Sequence, residues 1–411
     1  MKRHIPLGDL LESSDSGVWG DEDLDAGISV LRSTNFNSDG TLDLTKLTFR
    51  ALDARDQSRK LLRAGDILLE KSGGGPKQPV GRVCLFLGDV APHAFGNFIA
   101  RLRPGMAVLS EYLFYYLWQF HSCGKTSHYQ KQTTGIRNLE FKRYLTIPVP
   151  VCSIEEQRRI VDQLSRAEGI VRLRRQAQQK AASLIPAMFI DTFGDPSTNA
   201  KQWAIHPLSE VADVISGVAK GRQLSAEESI ELPYMRVANV KDGHLDMSEV
   251  KIISIKKTEV EKLRIVPGDL LMTEGGDPDK LGRSALWHGE IDLCVHQNHI
   301  FKVRSHSDRL VPEYLRSLAG SAYGKAYFLS VAKKTTGIAS INKTQLSAFP
   351  VLLPPLANQT KFKLQVAAVE GIVALQDAAA RKAEATFGSL LAKAFTAAGS
   401  QVHSEMERAL A

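Results

Sequence analysis

Cysteine is scarce in this 411-residue chain: Cys84, Cys123, Cys152 and Cys294 form no CxxC pair and show no regular spacing. That excludes a disulfide framework, and reduced, buried thiols in a cytoplasmic protein are expected. Long apolar runs are missing too, so no membrane span is expected, and the first residues, MKRHIPLGDLLESS, lack the apolar stretch of a signal peptide. No GxxxxGK[ST] loop for ATP occurs, and no GxGxxG. Gly73-Gly74-Gly75-Pro76 is glycine-rich, but Pro76 blocks a phosphate-binding helix start. The Asn/Asp-Pro-Pro-aromatic motif of base-amino methylation is absent, since Leu356 follows Pro354-Pro355. Asp66 with Glu70-Lys71 argues against a metal nuclease, because an adjacent acid and lysine on a strand face opposite sides. His288, Cys294, His296 and His299 contain metal-ligand chemistry. Cys294, His296 and Asn298 alternate along one strand, however, and the matching strand earlier in the chain has no such residues, so a core strand is preferred. No catalytic residues, metal ligands or cofactor sites are therefore expected.

What is present begins with two long amphipathic segments. From Ser153 to Phe189, apolar residues recur at helical spacing through Ile160, Val161, Leu164, Val171, Ala181, Leu184 and Met188. Ser153 with Glu155 and Glu156 makes an N-cap with acidic residues in the first turn. A second such segment runs from Leu356 to Phe395, with Phe362, Val366, Val369, Val373, Phe387 and Leu390 on its stripe. Each carries a glutamine in its first turn, Gln157 and Gln359. A helix this long needs a partner for its stripe, so an antiparallel coiled coil within the chain is expected. Val161, Leu164 and Val171 are expected to face Val366, Val369 and Val373.

The regions before these segments repeat. Leu31-Arg32-Ser33-Thr34-Asn35 matches Met235-Arg236-Val237-Ala238-Asn239, and Asp39-Gly40 matches Asp242-Gly243. Gly65-Asp66-Ile67-Leu68 matches Gly268-Asp269-Leu270-Leu271, and Asn97-Phe98-Ile99 matches Asn298-His299-Ile300. Thr133-Thr134-Gly135-Ile136 matches Thr335-Thr336-Gly337-Ile338. The register holds over a whole half, which chance similarity would not do. The expected architecture is α+β: two mainly-β globules with flanking helices, joined by the coiled coil. The expected boundaries are 1–151 for the first globule, 152–190 for the central helix and 191–204 for a linker. The second globule follows at 205–353, then a helix at 354–396 and a tail at 397–411. Strands are expected at 28–32, 66–69, 80–87 and 98–103, with counterparts at 233–237, 269–272, 285–287 and 299–304, and helices at 110–121 and 312–329.

This plan resembles the specificity subunit of type I DNA restriction–modification systems over Ile5 to Phe395. The most specific stretches are TTGIRNLEFKRYLTIPVPVCSIEEQRRIV and TFGDPSTNAKQW. The resemblance implies two target recognition domains, each reading half of a split duplex DNA site, and a helical spacer between them. It further implies docking of two methyltransferase subunits and, through them, of restriction/translocase subunits. S-adenosylmethionine, ATP and Mg would then belong to those partners, and this chain would have no catalysis of its own. The lead-in to the second helix, Pro354-Pro355-Leu356-Ala357-Asn358-Gln359, departs from the first by lacking the acidic pair.

The formal net charge of +7 leans toward an anionic partner. Phosphates are held by Lys, Arg, hydroxyls and backbone N–H groups. Lys71, Ser72, Gly73 and Lys77 in one loop, and Lys131, Thr133, Thr134 and Arg137 in another, are the candidate DNA-binding residues of the first copy. In the second copy they are Lys220, Arg222, Glu274, Lys280, Lys333, Lys334, Thr335, Thr336 and Lys343. Arg32, Asn35, Arg236 and Asn239 recur in both copies and are read as structural. A non-catalytic adaptor of the same plan that binds a protein and no DNA stays open.

Overall fold

The computed structural model describes residues 2–396 apart from Ala26, Pro76, Lys77, Thr134, Gly135, Pro278, Asp279 and Thr336, and without the side chains of Gln132, Thr133, Thr335 and Thr396. The chain divides into two compact units. One comprises the chain up to Arg174 together with the second long helix from Ala379 onward; the other is Arg175–Ala378.

In the first unit an antiparallel sheet has the strand order Leu11–Ser16, Ile99–Pro104, Ile67–Glu70, Val83–Leu85. Its strand Ile67–Glu70 is buried at every position. Strand alternation divides it between two cores. Ile67 and Leu69 join Ala100, Leu102 and Tyr112 on one face, while Leu68 joins Leu31, Cys84 and Phe95 on the other. The sheet is pinned by Asp66, whose carboxylate accepts two hydrogen bonds of 2.7 Å from Arg103. Beside it lies Phe49–Arg50, Ile28–Leu31, His93–Phe95, with the last pair parallel. Arg3–Pro6 pairs with Pro148–Val151 in a two-stranded ladder. There the prolines remove no hydrogen bond from a central strand.

The second unit has the same strand orders. Ala212–Ser216, Ile300–Ser305, Leu270–Thr273, Ser284–Leu286 form its main sheet, and Lys251–Lys256, Ser229–Met235, Val295–His296 its second. Leu270 and Met272 face one core and Leu271 the other. Asp269 and Arg304 repeat the pinning pair at 2.7 Å. Asn35 and Asn239, both buried, donate through Nδ2 to two carbonyls each: Asp43 and Lys46, and Asp246 and Glu249. The mixed fold with its internal repeat is thus present.

The long helices span Ile154–Phe193 and Leu356–Thr396. In the first unit Ile160, Leu164 and Val171 share a core with Phe387, Leu391 and Phe395. Within the second, Phe189 and Phe193 pack on Phe362, with ring centroids 5.7 and 5.3 Å apart. The start of each helix therefore meets the end of the other, and the pair is antiparallel.

This corrects the expected seam. Leu164 and Val171 do not lie in the core that holds Val366, which packs with Phe189 and Phe193. In an antiparallel pair of equal helices, two N-terminal halves cannot be neighbours. Leu184 is 44% exposed, and Ala181, Ile185 and Met188 take its place on the buried side. Val161 and Val373 are half-buried and Val369 is buried. The first helix also runs past 190 to Phe193, where Gly194 turns with φ +81° and the Trp203 indole N–H donates to the Phe193 carbonyl (2.9 Å). Finally, the helical region expected at 312–329 is two helices, Pro312–Gly320 and Ala322–Val331, broken at Ser321, whose side chain caps the second.

Each long helix is tied to its globule by a buried amide. Gln157 is fully buried; its Oε1 accepts from the Leu109 N–H (2.8 Å), and its Nε2 donates to the carbonyls of Ala107 (3.1 Å) and Cys152 (2.9 Å). Gln359 does the same with the Val311 N–H (2.9 Å) and the carbonyls of Arg309 (3.1 Å) and Pro354 (2.8 Å). Replacing Gln157 or Gln359 by Leu would leave a buried donor and two acceptors unpaired, a cost of about 2–4 kcal/mol. Chemical denaturation of each variant is expected to show that loss, and a change below about 1 kcal/mol would mean that the helix is held by its apolar face alone.

Candidate nucleic-acid interface

The two loops singled out in the first copy come together as one small sheet. Ile136–Leu139 is its central strand, with Gln130–Thr133 on one side and Ser72–Gly74 on the other. This pairing places Lys71, Ser72, Gly73, Lys131 and Arg137 in one structure. Lys131 is highly exposed and pairs with Glu140 at 2.8 Å, which Arg143 also contacts at 3.1 Å. Hydrogen bonds from Lys131 and then Arg143 hold the Glu140 carboxyl below the usual carboxylate range. Lys71 donates from Nζ to Ser16 Oγ (2.8 Å), and burial, with Lys60 nearby, pushes its ammonium pKa down. Gly73 has φ +90°, where a side chain would be strained, and a Cβ there would lie 3.2 Å from the Phe98 ring and press on it. Lys77 and Thr134 lie outside the described residues, as does the side chain of Thr133.

The second copy builds the matching sheet from Gly275–Gly276, Ile338–Ser340 and Lys333–Thr335. Lys333 and Lys334 are exposed on its outer strand. Lys343 is exposed in the short helix that follows, Lys343–Ser347. Lys280 pairs with Asp277, whose carboxyl that contact holds low. Thr336 lies outside the described residues, as does the side chain of Thr335.

Backbone bonds fix which residues correspond. The Lys71 N–H donates to the Phe98 carbonyl and the Lys71 carbonyl accepts from the Leu139 N–H, both at 2.8 Å. Glu274 makes the same two bonds, with His299 (3.0 Å) and Ile341 (2.8 Å). The frame is shared, yet a lysine stands opposite a glutamate. Glu274 also accepts from His299 Nδ1 at 2.6 Å.

Lys220 and Arg222 are not part of this sheet. Lys220 Nζ sits 5.6 Å from the centre of the Tyr234 ring, and Arg222 pairs with Glu259 at 2.8 Å. Sequence reading also passed over Trp19 and Phe98 as site residues and took Arg32 as structural; the three line a cavity of about 350 Å³ beside Gly73 in the first globule. The available signal was the repeat itself, since Phe98 and His299 differ at one register position.

No family model matches the chain. It is 24% identical to the type I restriction enzyme StySPI specificity subunit of Salmonella potsdam, across 90% of this chain and 81% of that protein. With the EcoKI specificity subunit of Escherichia coli K12 the identity is 22%, across 90% and 82%. A shorter match, 26% over 160 residues, covers 39% of this chain and 37% of a Methanocaldococcus jannaschii protein assigned as the MjaX specificity subunit. Among solved structures, one from work on assembly and conformational transition of the type I R-M system superposes with TM-score 0.55 at 18% identity, covering 96% of this chain and 97% of that one. The type I S subunit from M. genitalium gives 0.54 at 12% identity, covering 96% of each. The fold is that of type I restriction–modification S subunits. The likeness to specificity subunits read from the sequence holds along most of the chain, in sequence and in fold.

The cysteine and histidines of the second copy are separated by burial. Cys294 and His296 are fully buried, and burial pushes the Cys294 thiol up to about 12. His299 is largely exposed and bound to Glu274. Among the described residues no three His, Cys, Asp or Glu converge as metal ligands. His296 Nδ1 donates to the Ile300 carbonyl (2.9 Å), and burial lowers its pKa to about 4. Between pH 6.5 and about 4 the unfolded chain binds a proton at His296 that the folded chain refuses. Stability therefore falls as pH falls through that window, by at most about 1.4 kcal/mol per pH unit from this group. His296→Gln is expected to flatten the slope; denaturation curves from pH 7 to 4.5 with identical slopes for both proteins would contradict this.

Proposed function

We propose that this protein is the sequence-specific DNA-binding specificity subunit of a type I restriction–modification complex. Residues 1–151 and 205–353 are its target recognition domains, each reading one half of a bipartite duplex site, and the long helices are the spacer. Two methyltransferase subunits dock on it, and restriction/translocase subunits join through them. S-adenosylmethionine, ATP and Mg serve those partners, and the chain contributes recognition without catalysis. Its place of work is the cytoplasm; no helix among the described residues is long and apolar enough to cross a membrane.

The observation that carries this reading is the pair of matching three-stranded sheets, one per globule. Basic side chains sit on both, Lys131 and Arg137 on two strands of the first and Lys333 and Lys334 on the outer strand of the second, on frames that agree while their charges differ. Two readers built alike but decorated differently suit two half-sites of different sequence. The likeness to specificity subunits supports the same reading.

Methylome sequencing of a host carrying this chain with its methyltransferase is expected to reveal one split motif. Salt-dependent duplex binding should accompany it, and its absence in the assembled complex would favour the protein-binding adaptor. Exposed lysines should act on phosphates. Lys131→Ala and Lys334→Ala are each expected to weaken cognate and non-cognate binding alike and to reduce the slope of log K against log salt by about 1. A variant that changed the motif and kept the slope would make that lysine a base reader instead.

A further inference from the structure

The cavity of about 350 Å³ in the first globule is lined by Trp19, Arg32, Ser33, Thr34, Asn97 and Phe98 together with Gly96 and Ile99. Its two rings are half-exposed, 46% for Trp19 and 49% for Phe98, and each is backed by a neighbour. The Arg50 guanidinium carbon sits 4.2 Å from the centre of the Trp19 ring, and the Phe98 ring rests against Gly73. These supports fix the rings before any ligand arrives. Arg32 Nε is buried with no hydrogen-bond partner, as is Arg236 Nε in the second globule, but Arg32 also has no acidic partner among the described residues.

The second globule treats the matching positions differently. Arg236, the counterpart of Arg32, donates from Nη2 to Glu249 Oε2 (3.0 Å) and to the Glu249 carbonyl (2.9 Å). Glu249 corresponds to Lys46, since their carbonyls accept from Asn239 and Asn35 in turn. So the charge that neutralises Arg236 is replaced by a lysine in the first globule. His299, bound to Glu274, stands where Phe98 does, and no tryptophan lies in the segment matching Trp19.

Resting on the reading of each globule as a DNA reader, we propose that the Trp19–Phe98 cavity receives one unstacked nucleobase of the half-site, a guanine, whose edge Arg32 reads. Aromatic walls suit the flat face of any base. A guanidinium lacking an acidic partner suits a base with two acceptors on one edge, which is guanine with O6 and N7. Extrusion costs stacking, and contact with the rings and the forked donor returns it in kind. The second globule has neither the aromatic pair nor the uncompensated arginine, so its half-site is read without this device.

The test uses the assembled complex with its methyltransferase, mapping the methylated motif for wild type, Arg32→Gln, Arg236→Gln, Trp19→Ala and Phe98→Ala. Arg32→Gln is expected to make one G·C position of a single half-site degenerate, whereas Arg236→Gln leaves the motif intact. Phe98→Ala and Trp19→Ala, at half-exposed positions, should lower cognate affinity at least tenfold and leave non-cognate affinity within twofold. An unchanged motif in Arg32→Gln, or equal cognate-to-non-cognate ratios in the alanine variants, would overturn the proposal. If the wild-type complex itself methylates no defined motif, the failure belongs to the reading of the chain as a specificity subunit.

Discussion

A buried glutamine at the first turn of each long helix is the contact on which the rest depends. Gln157 and Gln359 satisfy the end of a loop and the lead-in to the helix at once, one acceptor and two donors each. No apolar side chain of that size can do this, because it would bury three polar backbone groups without partners. The amide therefore fixes where the helix starts and how it leaves the globule. Aromatic residues then complete the seat: Tyr112 and Tyr116 meet Phe395 in the first unit, and Tyr314 meets Phe189 and Phe193 in the second. Both tyrosines at the matched position, Tyr112 and Tyr314, also donate to a carbonyl of the strand that precedes the helix, those of Pro150 (2.6 Å) and Leu352 (2.8 Å). Burial raises their phenol pKa values well above the ordinary range, so these donors stay protonated.

Around these shared anchors the two copies diverge in charge more than in frame. Lys71 stands against Glu274 and Lys46 against Glu249, while Asp66–Arg103 and Asp269–Arg304 are kept. Arg101 and Lys302 show an intermediate case. Both bury a cation on carbonyls near the end of a short helix: those of Arg59 and Leu61 in one copy, and of Lys262 and Arg264 in the other. The geometry is conserved and the head group is not, and burial lowers the Lys302 ammonium to about 8. The charge at Lys71 and at Lys46 reverses between the copies, whereas this position keeps its cation.

Much of the frame was legible in the sequence. The helical stripes, the cap at Ser153 and the register of the repeat all survive, because each rests on local spacing that burial enforces. The partner of each stripe was not legible, since a stripe states that a face is covered and not by which turns of another helix. Strands of two to four residues rich in Gly and Lys, such as Ser72–Gly74 and Gly275–Gly276, carry no period, so the sheets joining 72–74 to 136–139 and 275–276 to 338–340 needed coordinates. Helix Ala54–Lys60 was missed because no residue in it is buried; it is held by its Asp53 cap. Of the cavity, only the contrast of Phe98 with His299 was visible. Arg32, read as structural, does hold the strand end through its backbone, which donates to Asn35, yet its guanidinium turns elsewhere.

The first unit is discontinuous in the chain, and that constrains the order in which the protein can mature. Its core holds Tyr112, Tyr116 and Leu164 together with Phe387, Leu391 and Phe395. On a ribosome, those last residues are made after the whole of the second unit, which is continuous from Arg175 to Ala378. The earlier-made globule must therefore wait with an open apolar seat while the later one completes its own. Contacts of such long sequence separation are slow to form, and a waiting apolar surface invites association with other chains. A nascent protein of this plan is most exposed after its second unit has been made and before Phe387, Leu391 and Phe395 are in place, while one of its two units is still unsealed.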